Sequence, residues 1–301
     1  MIAVEGVEKE SIRSHYQLGT LFYRLLWGPH IHHGLWDGAH SADKLSAYQA
    51  QCQLTDTLAD LADVTSADRV VDIGCGMGGS AIRLAKLRGC DVTGVTLSPV
   101  QRHWAALSSR VKRLAGRTRF LAGDAEDVIF QPDSFDVVWS VECTEHLFDK
   151  PQFIGRAANW LRPGGRIAIC VWFEGEDTSR SGHRRQCEEV CERFVCPSLA
   201  TRADYADWMM DSGLRIRHNV DWTDRVTRTW EICKRRVRRT GVRHLARVLD
   251  REQVNFIDGF DALLRAYRSG AMQYGAIVAE KPGAADRPCT TAPRDDRESI
   301  A

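Results

Sequence analysis

The sequence has no long hydrophobic run: no apolar stretch in its 301 residues approaches the roughly 20 that a helix needs to span a bilayer. The opening MIAVEGVEKE lacks the apolar centre of a secretory signal. A charge excess of one sign is missing too. Lys and Arg number 41 against 40 Asp and Glu, a net charge of +1, so no global field recruits nucleic acid or an anionic membrane. There are no internal repeats, no low-complexity stretch and no paired C-x-x-C knuckles. The ten cysteines, from Cys52 to Cys289, lack the dense spacing of a disulfide scaffold. The expectation is a cytoplasmic protein without stable membrane insertion, with a small-molecule partner and no nucleic acid; a homo-oligomer is left open. The cysteines read as reduced, with Cys75, Cys90 and Cys170 acting as small hydrophobes in or beside strands. His183, Cys187 and Cys191 fall at i, i+4, i+8 with Cys196 following, which would place them on one helix face. Without knuckles, a packed amphipathic helix is the better reading, and no metal is expected.

What is present suits one large α/β domain with an elaborated lid: 44% hydrophobic and 27% charged residues. Residues 8–27 space Ile12, Tyr16, Leu18, Phe22, Leu25 and Leu26 as an amphipathic helix. GPHIHHGLWDG (28–38) is a turn-rich loop, and Ser41 reads as the cap of a second helix. Strand patterns follow at Arg69–Ile73, Asp91–Val95, Thr118–Leu121, Phe135–Ser140 and Arg166–Trp172, with helical stretches Ser80–Arg88, Pro99–Leu114 and Gln152–Leu161 between them. That alternation predicts right-handed crossovers and a parallel sheet covered on both faces. Beyond Phe173 the pattern becomes mostly helical, with strands at Leu214–Val220 and Met272–Glu280, and residues 283–301 read as a disordered tail.

The chemistry centres on VVDIGCGMGG (70–79). A buried strand ends at Asp72-Ile73, and Gly74, Gly76 and Gly78 turn the chain into a helix; a Cβ there would keep the backbone away from a ligand. Gly74, Gly76 and Gly79 also match the dinucleotide pattern G-x-G-x-x-G. A nicotinamide cofactor would need an acidic residue at the end of the second strand, where this chain has Thr96, Leu97 and Ser98. Asp72, two residues before the first glycine, suits a cationic ligand such as S-adenosylmethionine (SAM), with its sulfonium and ammonium. Downstream, GDAED (123–127) places Asp124 and Ala125 where an adenine amino group can be received, and FDVVWSVECTEHL (135–147) delivers Glu142, Glu145 and His146 past a strand end.

The order DIGCGMGG, GVTLSPVQ, GDAED, SVECTEHL, LRPGGRI looks like that of class I SAM-dependent methyltransferases. More narrowly, HYQLGTLFYRLLWG–HIHHGLWDG with GVTLSPVQ and SVECTEHLFDK resembles the γ-tocopherol methyltransferase-like small-molecule branch, which is related to the cyclopropane-fatty-acid synthases. The resemblance spans roughly 10–282. It implies an α/β, Rossmann-like, seven-stranded, mostly parallel sheet with a reversed last strand, helices on both faces and a helical lid. It also implies N-terminal helices (1–62) covering the cofactor site, a SAM-binding core (63–173), a lid and substrate region (174–270) and a final core strand (271–282).

By position it assigns SAM's methionine end to Asp72, Gly74 and Gly76, the ribose to Thr96, Leu97 and Gln101, and the adenine to Asp124 and Ala125, with Tyr16 lying across the cofactor. His146 and Glu142 are the catalytic candidates; the bland alternative is that Glu145–His146 only caps the next helix. His32 and His33 read as packing or hydrogen-bonding residues. The basic run 234–247 reads as the outer face of a lid helix, with Trp230, Cys233 and Val237 inward, or as a site for an anionic acceptor. The expected function is methyl transfer to a small hydrophobic natural product at carbon, nitrogen or oxygen. One alternative is alkene methylation or cyclopropanation through a carbocation stabilised by aromatic residues around Trp139, Trp172, Phe173 and Trp208. Another is a SAM-binding protein without catalysis.

Overall fold

The structure, a computed structural model, describes residues 1–37, 45–177, 182–240, 243 and 251–283. The chain begins with a short strand β1 (Ile2–Ala3), then helices α1 (Lys9–Leu26) and α2 (Ala47–Leu61). Strands and helices alternate next: β2 (Arg69–Ile73), α3 (Gly79–Leu87), β3 (Asp91–Thr96), α4 (Pro99–Val111), β4 (Thr118–Ala122), β5 (Phe135–Val141), α5 (Lys150–Trp160) and β6 (Leu161–Glu174). After these come α6 (His183–Phe194), β7 (Ser198–Leu199), α7 (Arg202–Asp211), β8 (Arg215–Asp221), α8 (Thr223–Val226), α9 (Arg228–Thr240), α10 (Arg251–Ser269) and β9 (Met272–Glu280).

Seven strands form one sheet in the order β4-β3-β2-β5-β6-β9-β8. Strands β2 to β6 pair in parallel, and β9 runs antiparallel between β6 and β8. Both faces are covered, as the buried parallel strands require. Val70, Val137 and Ala168 pack toward α1, α2, α3 and α10, while their chain neighbours Val71, Val138 and Ile169 pack toward α5 and α7. The sheet reverses its strand order beside β2, and the loops after β2, β3, β4 and β5 converge on that edge, where ligands bind in such folds.

Most sequence-predicted strands stand within a residue or two of their expected limits. The helix Ala47–Leu61 is capped by Ser46: the Ser46 hydroxyl accepts from the Gln49 N–H while the Gln49 side chain accepts from the Ser46 N–H, a reciprocal capping box. Ser41, the expected cap, lies outside the described residues. Strand β6 starts at Leu161, five residues before the expected Arg166, because Leu161 already pairs with Phe135; the register then shifts so that Val137 faces Arg166, with Gly164 at φ +77° in the irregular stretch. The tail expected from 283 lies outside the described residues beyond Gly283, as do 241–242 and 244–247 of the basic run. The pairing of β1 with β7, Ile2 against Leu199, has no signal in either two-residue strand.

Candidate active site

The turn after β2 is built on positive φ: Gly74 at +77°, Gly76 at +52° and Gly78 at +78°. At Gly74 a Cβ would stand 2.3 Å from the Cβ of Cys143, so the turn and the loop after β5 touch with no room between them. Beyond this turn opens a cleft of about 800 Å3 with the open space at its mouth included. Ten of the sequence-predicted residues line it: Tyr16, Gly74, Gly76, Thr96, Leu97, Gln101, Asp124, Ala125, Glu142 and His146. Asp72 lines an adjoining annex that shares Ile31, Gly74 and Gly76 with the cleft.

The cleft's polar groups are partly unsatisfied. Asp72 is 2% exposed and its Oδ2 has no hydrogen-bond partner. Burial pushes its carboxyl up to about 7, against the ordinary 3.8. Gln101, at the start of α4, accepts from the Thr96 hydroxyl through Oε1 at 2.9 Å and leaves its buried Nε2 without a partner. Its own N–H is capped by Ser98 Oγ at 3.3 Å. Asp124 accepts from the Glu126 N–H at 2.8 Å and meets the Lys9 ammonium at 2.9 Å, so α1 closes against the far end of the cleft.

A second, narrower chamber, about 410 Å3 with its open space included, shares Tyr16, Ile31, Glu142 and His146 with the cleft and is walled by Tyr23, Trp27, Trp172, Phe194, Trp230 and Phe256. At the junction stands Glu142, the last step out of β5, at φ +52°. Its Oε1 accepts from the His33 N–H at 2.7 Å, from His33 Nδ1 at 2.9 Å and from the Tyr274 hydroxyl at 2.8 Å. Burial pushes this carboxyl upward, but His33, its two hydrogen bonds and His32 outweigh that and hold it below its usual range. His33 Nε2 lies 2.6 Å from the indole nitrogen of Trp230, which can only donate, so Nδ1 carries the His33 proton.

His146 ends the 3₁₀ turn Thr144–His146. Its Nδ1 donates to the Val195 carbonyl at 3.1 Å, and its Nε2 accepts from the Tyr16 hydroxyl at 2.7 Å. Burial pushes the imidazole down to about 4, leaving it neutral at physiological pH. The capping alternative fails, because α5 is capped by Asp149, whose carboxylate accepts from the Gln152 N–H. Glu145 is 1% exposed, faces the second chamber, and has no partner on either carboxylate oxygen; burial, with the neighbouring Glu142, pushes it up to about 8.

Sequence reasoning left five contributors without a role here: Lys9, Glu145, Trp230, Tyr267 and Tyr274. Glu145 was legible as a position past a strand end; its isolation was not. Of the four aromatics expected around a cation, Trp172 faces the chamber. Phe173 falls on the opposite face of β6 by the two-residue alternation of a strand, Trp139 is fully buried within the sheet, and Trp208 packs against Tyr205. On α9, Trp230 and Cys233 face inward as expected, and Arg235, Arg238 and Arg239 line a separate surface cleft. The cysteines of α6 are packed thiols: Cys187 donates to the Ala271 carbonyl, and burial pushes both Cys187 and Cys191 up to about 12. Among the described residues nine cysteines are free, and no group of His, Cys, Asp and Glu is arranged to hold a metal ion.

Residues 71–169 match the family described as a methyltransferase domain. Over 291 residues the chain is 30% identical to the chloroplastic tocopherol O-methyltransferase of Arabidopsis thaliana, covering 91% of this chain and 82% of that protein. A cyclopropane synthase from Mycobacterium tuberculosis superposes with a TM-score of 0.79 at 17% identity, over 92% of this chain and 100% of that one. The geranyl diphosphate C-methyltransferase of Streptomyces coelicolor, solved with S-adenosyl-L-homocysteine, gives 0.69 at 22% identity, over 90% and 97%. At these identities the two structures speak for the fold alone.

Proposed function

The chain belongs to the family of SAM-dependent methyltransferases that includes tocopherol O-methyltransferase, and from that premise we propose how its cleft holds SAM and where its small-molecule acceptor sits. The observation that carries the reading is Asp72: a buried carboxyl with one orphaned oxygen, at the end of β2 just before the glycine turn, fits a ligand that brings positive charge and N–H donors. Asp72 receives the ammonium of the methionine end, and Gly74 and Gly76 let the backbone come close. Gln101 Nε2, the second orphan, donates to a ribose hydroxyl beside Thr96 and Leu97. Asp124 and Ala125 take the adenine, and Tyr16 covers the cofactor. When bound, SAM supplies an activated methyl group, so the protein's task is to align the acceptor and exclude water.

The acceptor is a hydrophobic small molecule seated in the aromatic chamber. Glu142, held ionised between His33 and Tyr274, faces both compartments and sets the local field. His146 presents a lone pair at Nε2 to which a weakly acidic acceptor passes its proton once Tyr16 turns aside. A second reading, alkene methylation through a carbocation, is favoured by the ring walls and the ionised Glu142. A cytoplasmic enzyme of secondary metabolism completes the proposal.

Calorimetric titration with SAM and, separately, NAD is the decisive test. Saturable SAM binding that Asp72→Asn weakens by about a hundredfold or more supports the reading; NAD binding without SAM binding sinks it. Product analysis on matched phenol, amine and alkene panels separates heteroatom transfer from the carbocation route.

A further inference from the structure

The chamber beside the methyl site is charged in one direction. Glu142 and Glu145 both line it, His146 is neutral, and no lysine or arginine is among the described residues of its wall. The buried ammonium of Lys150 attracts Glu145 electrostatically but makes its hydrogen bonds elsewhere: its Nζ donates to the Leu147 carbonyl at 2.7 Å and to Ser198 Oγ at 2.6 Å. Glu142 is satisfied by three donors. Glu145 makes no hydrogen bond of good geometry and feels only minor pulls from the Glu145 and Trp172 backbone N–H groups and from Lys150, although it is 1% exposed and held in the turn that also carries His146. A fold gains nothing from burying a carboxyl without partners; glutamine or methionine would fill the same space at lower cost. The group is explained by a ligand that completes it.

We propose that the acceptor carries an ammonium group and that Glu145, with the aromatic walls around it, is the anchor for that group. This rests on the reading of the chamber as the acceptor site. Six rings wall the chamber and can meet a cation with their π clouds, and the ionised Glu142 would repel a phenolate or phosphate at the same place. The arginines of α9 that an anionic acceptor would need line a different cleft, which shares no residue with the chamber. A protonated secondary amine also gives Glu145 a task. One N–H bond breaks and the proton passes to the carboxylate; the freed nitrogen lone pair forms a C–N bond to SAM's methyl as the C–S bond breaks, its electron pair staying on sulfur.

The test compares two isosteres that differ in charge, N-methyltryptamine and 3-butylindole, titrated into the full-length enzyme saturated with S-adenosylhomocysteine. The amine is expected to bind at least about tenfold more tightly than the neutral isostere. In Glu145→Gln that ratio is expected to collapse to within about twofold, with S-adenosylhomocysteine affinity unchanged and thermal stability equal or higher. Equal binding of the two probes by the wild type, or a ratio that survives in Glu145→Gln, overturns the proposal, and the wild-type comparison stands even if the variant does not fold. Failure to bind S-adenosylhomocysteine at all would instead strike the cofactor reading, and the probe pair would still report on Glu145 in the cofactor-free enzyme.

Discussion

His33 holds Glu142 twice, through its backbone N–H at 2.7 Å and through Nδ1 at 2.9 Å. The second bond depends on Trp230, whose indole N–H occupies the other ring nitrogen and fixes the tautomer. His33→Ala keeps the backbone N–H on Glu142 but leaves the Trp230 indole N–H and the Tyr267 hydroxyl without their partner inside the protein. It should cost about 2–4 kcal/mol in chemical denaturation and lower kcat about tenfold or more, while the Kd for SAM moves less than about threefold. A large loss of SAM affinity instead would mean that His33 shapes the cofactor cleft and not the chamber.

Asp72 should make SAM binding depend on pH. The cation binds the ionised carboxylate, whose midpoint in the free protein is about 7. Affinity should rise up to about tenfold per unit as pH climbs toward 7 and then level off, with about one proton released on binding at pH 6. Calorimetry in buffers of different ionisation enthalpy counts that proton directly. Asp72→Asn should give a flat, weak profile.

The ligand-free protein should be most stable near pH 6.5. Four buried histidines are pushed down by burial: His15 to about 3, His146 to about 4, and His30 and His32 below the ordinary 6.5. A depressed base contributes stability that is lost as pH falls, so between about 4.5 and 6.5 these four outweigh two carboxyls acting in the opposite sense. Asp72 and Glu145 have raised values, about 7 and 8; their contribution is present at low pH and is lost as pH rises through those values. Melting temperature against pH should thus rise, peak and decline toward pH 8. The double variant Asp72→Asn, Glu145→Gln should lose the decline; a decline that persists would place its origin in other groups.

The sheet and the lining of the larger cleft were legible in the sequence, and the cage around Glu142 was not. Asp72, the glycines, Thr96 and Asp124 sit at or just past the end of a strand, and Gln101 in the first turn of the helix that follows one; those patterns are local, so finding the strand finds the residue. The cage around Glu142 is assembled from His33, Trp230, Tyr267 and Tyr274, on four separate stretches of chain. No spacing rule joins them; each reads alone as a core aromatic or a loop histidine.

Gly74→Ala should remove SAM binding and destabilise the protein by about 2–4 kcal/mol, because the added methyl would enter the Cys143 side chain at a backbone angle that already disfavours it. Gly164 also has a positive φ, but nothing lies within 4 Å of its Cβ position. Gly164→Ala should therefore be milder by at least about half in a parallel urea melt.

Lys9 bridges Asp124 and Glu126 from α1, in an exposed position where salt screens the attraction. Stopped-flow release of SAM should quicken with ionic strength in the wild type. In Lys9→Ala it should be several-fold faster at low salt and nearly insensitive to salt. A wild-type rate that ignores salt would remove the clasp from the account of cofactor exchange.

Strand β9 is near the end of the described chain, yet it lies inside the sheet, hydrogen-bonded on one side to β6 and on the other to β8. During synthesis the parallel half of the sheet can form while β9 is still inside the ribosome. It would then present the long edge of β6, nine backbone positions from Arg166 to Glu174, with nothing beside it. The nascent enzyme therefore carries its most adhesive surface until its last strand arrives. A chain cut short before residue 272 would keep that surface for good, so quality control that recognises open strand edges would find incomplete copies without inspecting the active site.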